Sequence, residues 1–150
     1  MAGDSDEEAF AEYFAARLSA TRRIAYLMCG DWHWADDLTQ VAFVRLASAW
    51  HRIRDHGALD AFVRTCLVRA FLADTRRAWR KRERSFAEVI SQADVMDSQE
   101  TTARRLEIAR ALAEVPPRQR AVLVLRFYED LDVAETSRVL HCAEGTPKGR

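Results

Sequence analysis

The chain has 150 residues, carries 23 basic and 23 acidic side chains, and is 49% hydrophobic. This is enough apolar material for one medium domain or two small ones. No apolar run approaches the roughly 18 residues that a membrane-spanning helix needs, and acidic residues stand at the N-terminus where a secretory signal would carry positive charge. The composition therefore argues against a membrane protein and predicts a cytoplasmic one.

Two amphipathic helices are predicted before residue 51. In the first, apolar side chains recur on one helical stripe from Phe10 to Met28, and Gly30 follows as a stop. Asp31 can cap a second helix over about 32–50, whose exposed positions include Asp36, Asp37, Gln40 and Arg45. On this pattern alone, the paired carboxylates are better explained by an ordinary solvated helix face than by a binding site.

The third predicted helix starts near Leu59 and changes from an apolar face into a run of arginines, with no Gly or Pro to interrupt it. Between Arg64 and Arg84, eight basic side chains stand against two acidic ones, although the whole chain is neutral. A positive helix attracts phosphate, and Trp79 within it can stack on an unpaired base for about 1–3 kcal/mol. The run predicts a nucleic-acid surface. The alternative is a solvated basic face on which Trp79 seals the edge of the core.

A linker is predicted over residues 85–102, because polar and acidic residues interrupt the apolar pattern there and lysine and arginine are missing. Helical periodicity resumes near Leu106 and ends at Pro116, since the residue before a proline avoids the helical region. Pro117 suits the first turn of the next helix, predicted to run to Tyr128.

The last part of the chain has the outline of a helix-turn-helix. Asp132 and Glu135 stand three apart and resemble a capping box for a short helix. A turn at 141–145 would follow, with Thr146 at the start of a second helix.

The sequence offers little for an enzyme. No glycine-rich phosphate loop and no nucleophile motif is present. His33 could lie near the two carboxylates of the second helix, yet no further cluster supplies the remaining ligands for a metal. The three cysteines are odd in number and far apart, which predicts small buried hydrophobes: Cys29, Cys66 and Cys142. We therefore predict no catalytic residues, no metal and no cofactor.

Several motifs are shared with a known family. The letters YLMCGDW over 26–32 and ADDLTQ over 35–40 are similar to a core-polymerase-binding helix, and FVR from Phe62 onward to a helix that reads the minus-ten element. The letters LAEVPPRQRAVL over 112–123 are similar to the second conserved domain of the same family. Together these motifs resemble the extracytoplasmic-function (ECF) group of bacterial sigma factors, of the SigE-like type, which are the promoter-recognition subunits of RNA polymerase.

The resemblance implies an all-α protein of two small helical domains joined by a flexible linker. Residues 1–84 would form sigma region 2, a three-helix bundle, and 85–102 the linker. Residues 103–150 would form the helix-turn-helix of sigma region 4, cut short in its recognition helix. The implied function is to bind core RNA polymerase and to direct promoter recognition and melting, without covalent chemistry by this subunit.

The resemblance also assigns residues to partners. Core polymerase is expected to bind the second helix at Asp36, Asp37, Leu38, Gln40, Arg45 and Trp50. Minus-ten DNA is expected to bind the third helix at Arg64, Arg69, Arg76, Arg77, Trp79, Arg80, Lys81 and Arg82. The upstream promoter element is expected at Glu144, Thr146, Lys148 and Arg150. An anti-sigma factor is a further expected class of partner, since members of the group are often held inactive by one; a membrane is not.

Four features differ from the usual family pattern. Arg69 stands where relatives commonly have asparagine, and a guanidinium can bind phosphate or guanine but accepts no hydrogen bond. Val41 replaces a frequent acidic residue, and His141 stands where the turn usually has glycine. The five residues from Thr146 form at most about 7.5 Å of helix, so either the sequence is trimmed or the protein lacks the upstream contact. The short C-terminus and Arg69 keep a second hypothesis open, a sigma-like regulator that binds polymerase or an anti-sigma partner without initiating transcription.

Overall fold

The computed structural model describes the backbone of residues 2–81 and 99–144, and the side chains of 3–78 and 103–140. The long elements in these ranges are helices: α1 Ala2–Cys29, α2 Trp32–Ala49, α3 Leu59–Lys81, α4 Gln99–Ala113, α5 Pro117–Leu123 and α6 Val133–Glu144. Two short 3-10 turns, Trp50–Arg52 and His56–Ala58, connect α2 to α3, and a π-helical turn, Val124–Tyr128, extends α5. The predicted all-α class is confirmed. Within the described ranges, none of the helices has both the length and the apolar character needed to cross a membrane.

The ends of α1 and α2 are fixed by the residues that the sequence pattern indicated. Gly30 follows α1 with a φ of 77°, a left-handed conformation that glycine adopts without strain, and its N–H donates to the carbonyl oxygen of Tyr26 at 2.7 Å. The Asp31 carboxylate then accepts the His33 N–H at 3.0 Å and caps α2. Both predicted helix boundaries are confirmed.

Helices α1, α2 and α3 form an N-terminal bundle around an apolar core. Leu38 and Leu46 of α2 and Leu67 of α3 are almost fully buried, and each such side chain contributes about 1.5–3 kcal/mol by leaving water. Aromatic rings join the helices as well: Tyr26 stacks on Trp32 with 4.0 Å between ring centroids and 7° between planes. The bundle therefore holds α2 and α3 in a fixed relation to each other.

The start of α6 is a reciprocal capping box, as predicted. The Glu135 N–H donates to the Asp132 carboxylate at 2.8 Å, and the Asp132 N–H donates to the Glu135 carboxylate at 3.0 Å. The turn predicted at His141 is wrong, because α6 continues through Glu144. Alanine at 143 and glutamate at 144 are good helix formers, so no residue before Gly145 forces the helix to end.

Helical structure resumes earlier than the sequence pattern indicated. Helix α4 begins at Gln99, inside the predicted linker range of 85–102, and both Gln99 and Glu100 are good helix formers. Residues 82–98 lie outside the described part of the chain.

The C-terminal helices α4–α6 pack directly on the N-terminal bundle, which the sequence pattern did not predict. Ala121, Val124 and Leu125 belong to the same buried cluster as the core of α1–α3. Helix α4 lies against α1, and α6 lies against α3. The two units therefore share one continuous hydrophobic core.

Arg120 of α5 holds the two units together at the centre of this contact. Its side chain is only 2% exposed; Nη1 donates to the carbonyl oxygen of Met28 at 2.7 Å, and Nη2 donates to that of Val115 at 2.9 Å. The Met28 carbonyl lies in the last turn of α1, where the helix dipole favours a cation. Burial lowers the pKa of Arg120 to about 10, so the guanidinium remains charged at neutral pH.

Candidate nucleic-acid interface

The exposed side of α2 combines polar and apolar side chains. Asp37, Gln40 and Arg45 are exposed there, as the sequence predicted. Between them stand Val41, 37% exposed, and Val44, 57% exposed. Because these positions recur at three- and four-residue steps, they form one stripe along the helix. We call Asp37, Gln40, Val41, Val44 and Arg45 the α2 face.

The two adjacent carboxylates of α2 differ in their surroundings. Asp36 forms an ion pair with Arg22 of α1, whose guanidinium also lies 4.4 Å from the centre of the Trp32 ring. Asp37 makes no hydrogen bond or ion pair with the side chains that the structure describes. Asp36 therefore helps to join α1 to α2, whereas Asp37 is available to a partner.

Two of the predicted polymerase-binding residues are buried. Leu38 is 1% exposed and Trp50 is 6% exposed. The Trp50 ring meets Phe10 of α1 edge-on, with 5.5 Å between centroids. These side chains maintain the position of α2 and do not reach its surface.

The predicted DNA-binding arginines of α3 lie on different sides of the helix. Arg69 and Arg76 are exposed and, being seven residues apart, lie two turns apart on one side. Arg77 is also exposed but points about 100° away from Arg76. Together these three arginines cover an arc of about 100° on the exposed surface of the helix, and we call them the α3 basic face.

Arg64 lies on the side of α3 that contacts the C-terminal helices. Its Nε is 3.3 Å from the carboxylate of Glu129, and the two side chains are only 18% and 17% exposed. Phe71, seven residues further along α3 on the same side, lies 5.7 Å from the Arg120 guanidinium. The structure therefore does not group Arg64 with the other arginines.

The remaining predicted site residues cannot be located by their side chains. Trp79, Arg80 and Lys81 belong to α3 and Glu144 to α6, but their side chains lie outside the described part. The others lie outside it entirely: Arg82, Thr146, Lys148 and Arg150.

The described residues do not bring together a cluster of three or more His, Cys, Asp or Glu side chains that could hold a metal ion. Cys29 and Cys66 are buried, and burial raises the pKa of both thiols. The two helix faces are thus the candidate binding surfaces among the described residues. The described part of the chain presents two unlike surfaces on neighbouring helices, one that mixes polar and apolar side chains and one that is basic.

Comparison with known proteins gives the family. Residues 13–81 match the family Sigma-70 region 2, and residues 105–148 match Sigma-70, region 4. The chain is 35% identical over 142 residues to the RNA polymerase sigma-E factor of Streptomyces avermitilis, an alignment that covers 93% of this chain and 76% of that protein. It is 32% identical to the sigma-E factor of Streptomyces coelicolor, over 93% of this chain and 77% of that protein.

A third relative is the ECF RNA polymerase sigma factor SigM of Mycobacterium tuberculosis, 30% identical over 145 residues, which cover 97% of this chain and 72% of that protein. No solved structure matches the chain. The chain belongs to the ECF group of RNA polymerase sigma factors, a family that is not enzymatic. We refer below to residues 13–81 as region 2 and to residues 105–148 as region 4.

Three of the contacts described above were not predicted from the sequence. The partner of Arg64 is Glu129, 65 residues away, and Arg120 contacts the end of α1. The indole of Trp34 donates to Asp74. No short-range pattern marks any of these contacts, although the isolated acidic residue at position 74 in a basic run was visible in the sequence.

Proposed function

We propose that this sigma factor binds core RNA polymerase through the α2 face and holds the melted minus-ten DNA on the α3 basic face, and so directs transcription initiation. The observation that carries the assignment is the presence of these two unlike surfaces on neighbouring helices of one bundle. Because α2 and α3 share a packed core, a polymerase bound at one face fixes the position of DNA at the other. We infer a cytoplasmic location, where bacterial polymerase acts.

The α2 face has the composition of a protein-binding surface. Exposed apolar side chains surrounded by polar ones are typical of interfaces, and the buried centre usually contributes most of the affinity. Here Val41 and Val44 supply the apolar centre, and Asp37, Gln40 and Arg45 supply the polar surroundings. Val41 therefore offers an apolar contact in place of the acidic one that many relatives have.

The α3 basic face has the composition of a phosphate-binding surface. Arg69 and Arg76 can each neutralise a backbone phosphate, and the Arg69 guanidinium can also bind guanine through two hydrogen bonds. Trp79, ten residues after Arg69 on the same helix, would stack on an unpaired base. Arg64 would reach DNA only if Glu129 moved away, so we leave it out of the DNA-binding set.

Region 4 would recognise the upstream promoter element, with Glu144, Thr146, Lys148 and Arg150 near its reading helix; this assignment rests on the family alone. An anti-sigma factor that covers the α2 face would keep this protein from polymerase. The exposed valines make that face a suitable target for such a partner as well.

Affinity for purified core polymerase tests the α2 assignment. The double variant Asp37→Ala, Gln40→Ala should weaken binding about tenfold or more, because it removes two of the three polar side chains of the α2 face. The matched control is Glu107→Ala, which removes an exposed carboxylate on α4, far from this face in the sequence. Equal affinity for both variants and the wild-type chain would refute the assignment. Polymerase binding without promoter opening by the wild type would favour the regulatory alternative.

A further inference from the structure

Asp74 is an unusual residue for a DNA-binding surface. It is the only acidic side chain between Asp60 and Glu83, and it lies between Arg69 and Arg76 on α3. A carboxylate at this place repels the phosphates that the neighbouring arginines attract. Its presence therefore calls for a different role.

Both oxygens of the Asp74 carboxylate are bound by donors from the chain itself. The indole Nε1 of Trp34 donates to Oδ2 at 2.9 Å, and the guanidinium of Arg77 forms an ion pair with Oδ1. The carboxylate is 31% exposed and the Arg77 side chain 63% exposed. The negative charge is thus partly shielded, while the far end of Arg77 remains open to a ligand.

The donor to Asp74 comes from the helix that carries the α2 face. Trp34 lies in the first turn of α2, three residues before Asp37. Its ring also packs against Phe71, with 5.7 Å between centroids, and Phe71 is completely buried. Phe71 and Asp74 are one turn apart on α3, so Trp34 contacts the core and the basic segment of α3 together.

We propose that Asp74 is a positioning residue: held by the Trp34 indole, it fixes the Arg77 side chain at one place on the α3 basic face, where Arg77 contacts the unpaired minus-ten strand. An arginine has five N–H donors, so its bond to Asp74 leaves others for DNA. Fixing the side chain in advance lowers the entropy that is lost on binding and makes the contact depend on base position. This inference rests on the proposed function of α3.

The test uses holoenzyme and two fork-junction DNAs, one that the wild type opens and one with substitutions in its minus-ten bases. Trp34→Phe keeps an aromatic ring against Phe71 but removes the indole N–H, and Asp74→Asn keeps an acceptor for the indole but loses the ion pair with Arg77. For both variants we expect the ratio of the two DNA affinities to fall about five- to tenfold, with unchanged affinity for core polymerase. Arg76→Ala is the matched comparison. Loss of a phosphate contact lowers the affinity for both DNAs equally, so the ratio of the two affinities should stay unchanged.

Two results would overturn the inference. One is an unchanged ratio in both variants. The other is an equal loss for both DNAs that follows a lower unfolding temperature, since this would show that the Trp34–Asp74 bond only stabilises the bundle. Failure of the wild-type holoenzyme to bind or open either DNA would instead reject the proposed function. The wild-type measurement alone shows this, so the two failures can be told apart.

Discussion

Asp36 and Asp37 show how far a sequence pattern specifies individual residues. Both were expected to bind polymerase, and both are on the exposed side of α2. Arg22, fourteen residues earlier, pairs with Asp36 alone. The helical period places a side chain on a face, but it does not tell which side chain of another helix meets it there. Asp37, with Gln40, is therefore the stronger candidate for the polymerase contact.

Tyr26 gives a prediction for alkaline pH. Its side chain is 1% exposed, and burial raises its pKa from 10.0 to about 12. The folded state thus holds the phenol proton more tightly than the unfolded state, so this stabilisation is complete below pH 10 and is lost as the pH rises towards 12. Over that interval, the wild type should lose about 2 kcal/mol more unfolding free energy than Tyr26→Phe.

The measurement is urea unfolding of both chains at several pH values between 9 and 12, as far as each remains folded. Tyr128→Phe, which changes an exposed tyrosine, is the control and should follow the wild type. If the unfolding free energies of the wild type and Tyr26→Phe changed with pH in the same way, burial of this phenol would have no influence on its titration.

At the scale of helices, the sequence predicted the ends that are fixed by local hydrogen bonds. Gly30, Asp31 and the Asp132–Glu135 box each act within one helical turn, so residue type and spacing are sufficient to find them. The continuation of α6 past His141 was missed because the outline of a helix-turn-helix, and not a breaking residue at position 141, placed a turn over 141–145.

The capping box at the start of α6 should contribute measurably to stability. Asp132→Ala removes the acceptor for the Glu135 N–H, and this should lower the unfolding free energy by about 1 kcal/mol. Denaturant unfolding at neutral pH measures the loss. Asp130→Gly is the neighbouring control: Asp130 has a φ of 61°, which glycine adopts more readily, so this variant should be at least as stable as the wild type. A loss in Asp130→Gly equal to that in Asp132→Ala would argue for general disturbance of the loop.

At the scale of the whole molecule, the packing of region 4 on region 2 could not be predicted from the pattern. The helical class, the buried faces of α1–α3 and the basic character of α3 all follow from spacing and composition. The contact between Arg120 and Met28 joins residues 92 positions apart, and Arg64 pairs with Glu129 across 65. Such pairings depend on how whole helices are placed relative to each other, and the hydrophobic pattern within one helix does not determine this.

Arg120 is expected to be the residue on which this packing depends most. Arg120→Met leaves the carbonyl groups of Met28 and Val115 without their donors in a buried place, so the unfolding free energy should fall by about 2–4 kcal/mol. Calorimetry should show one transition in the wild type, because both regions share one core. Gln119→Ala, an exposed change on the same helix, is the control and should have little effect. Two separate transitions in the wild type would contradict a shared core.

The most direct test of the division of work between α2 and α3 is the permanganate reactivity of unpaired thymines in the minus-ten region of a promoter bound by reconstituted holoenzyme. We predict clear reactivity with the wild type and a strong decrease with Arg69→Ala, Arg76→Ala, although this double variant binds core polymerase with wild-type affinity. Undiminished reactivity in that variant, or its failure to bind polymerase at all, would contradict the account.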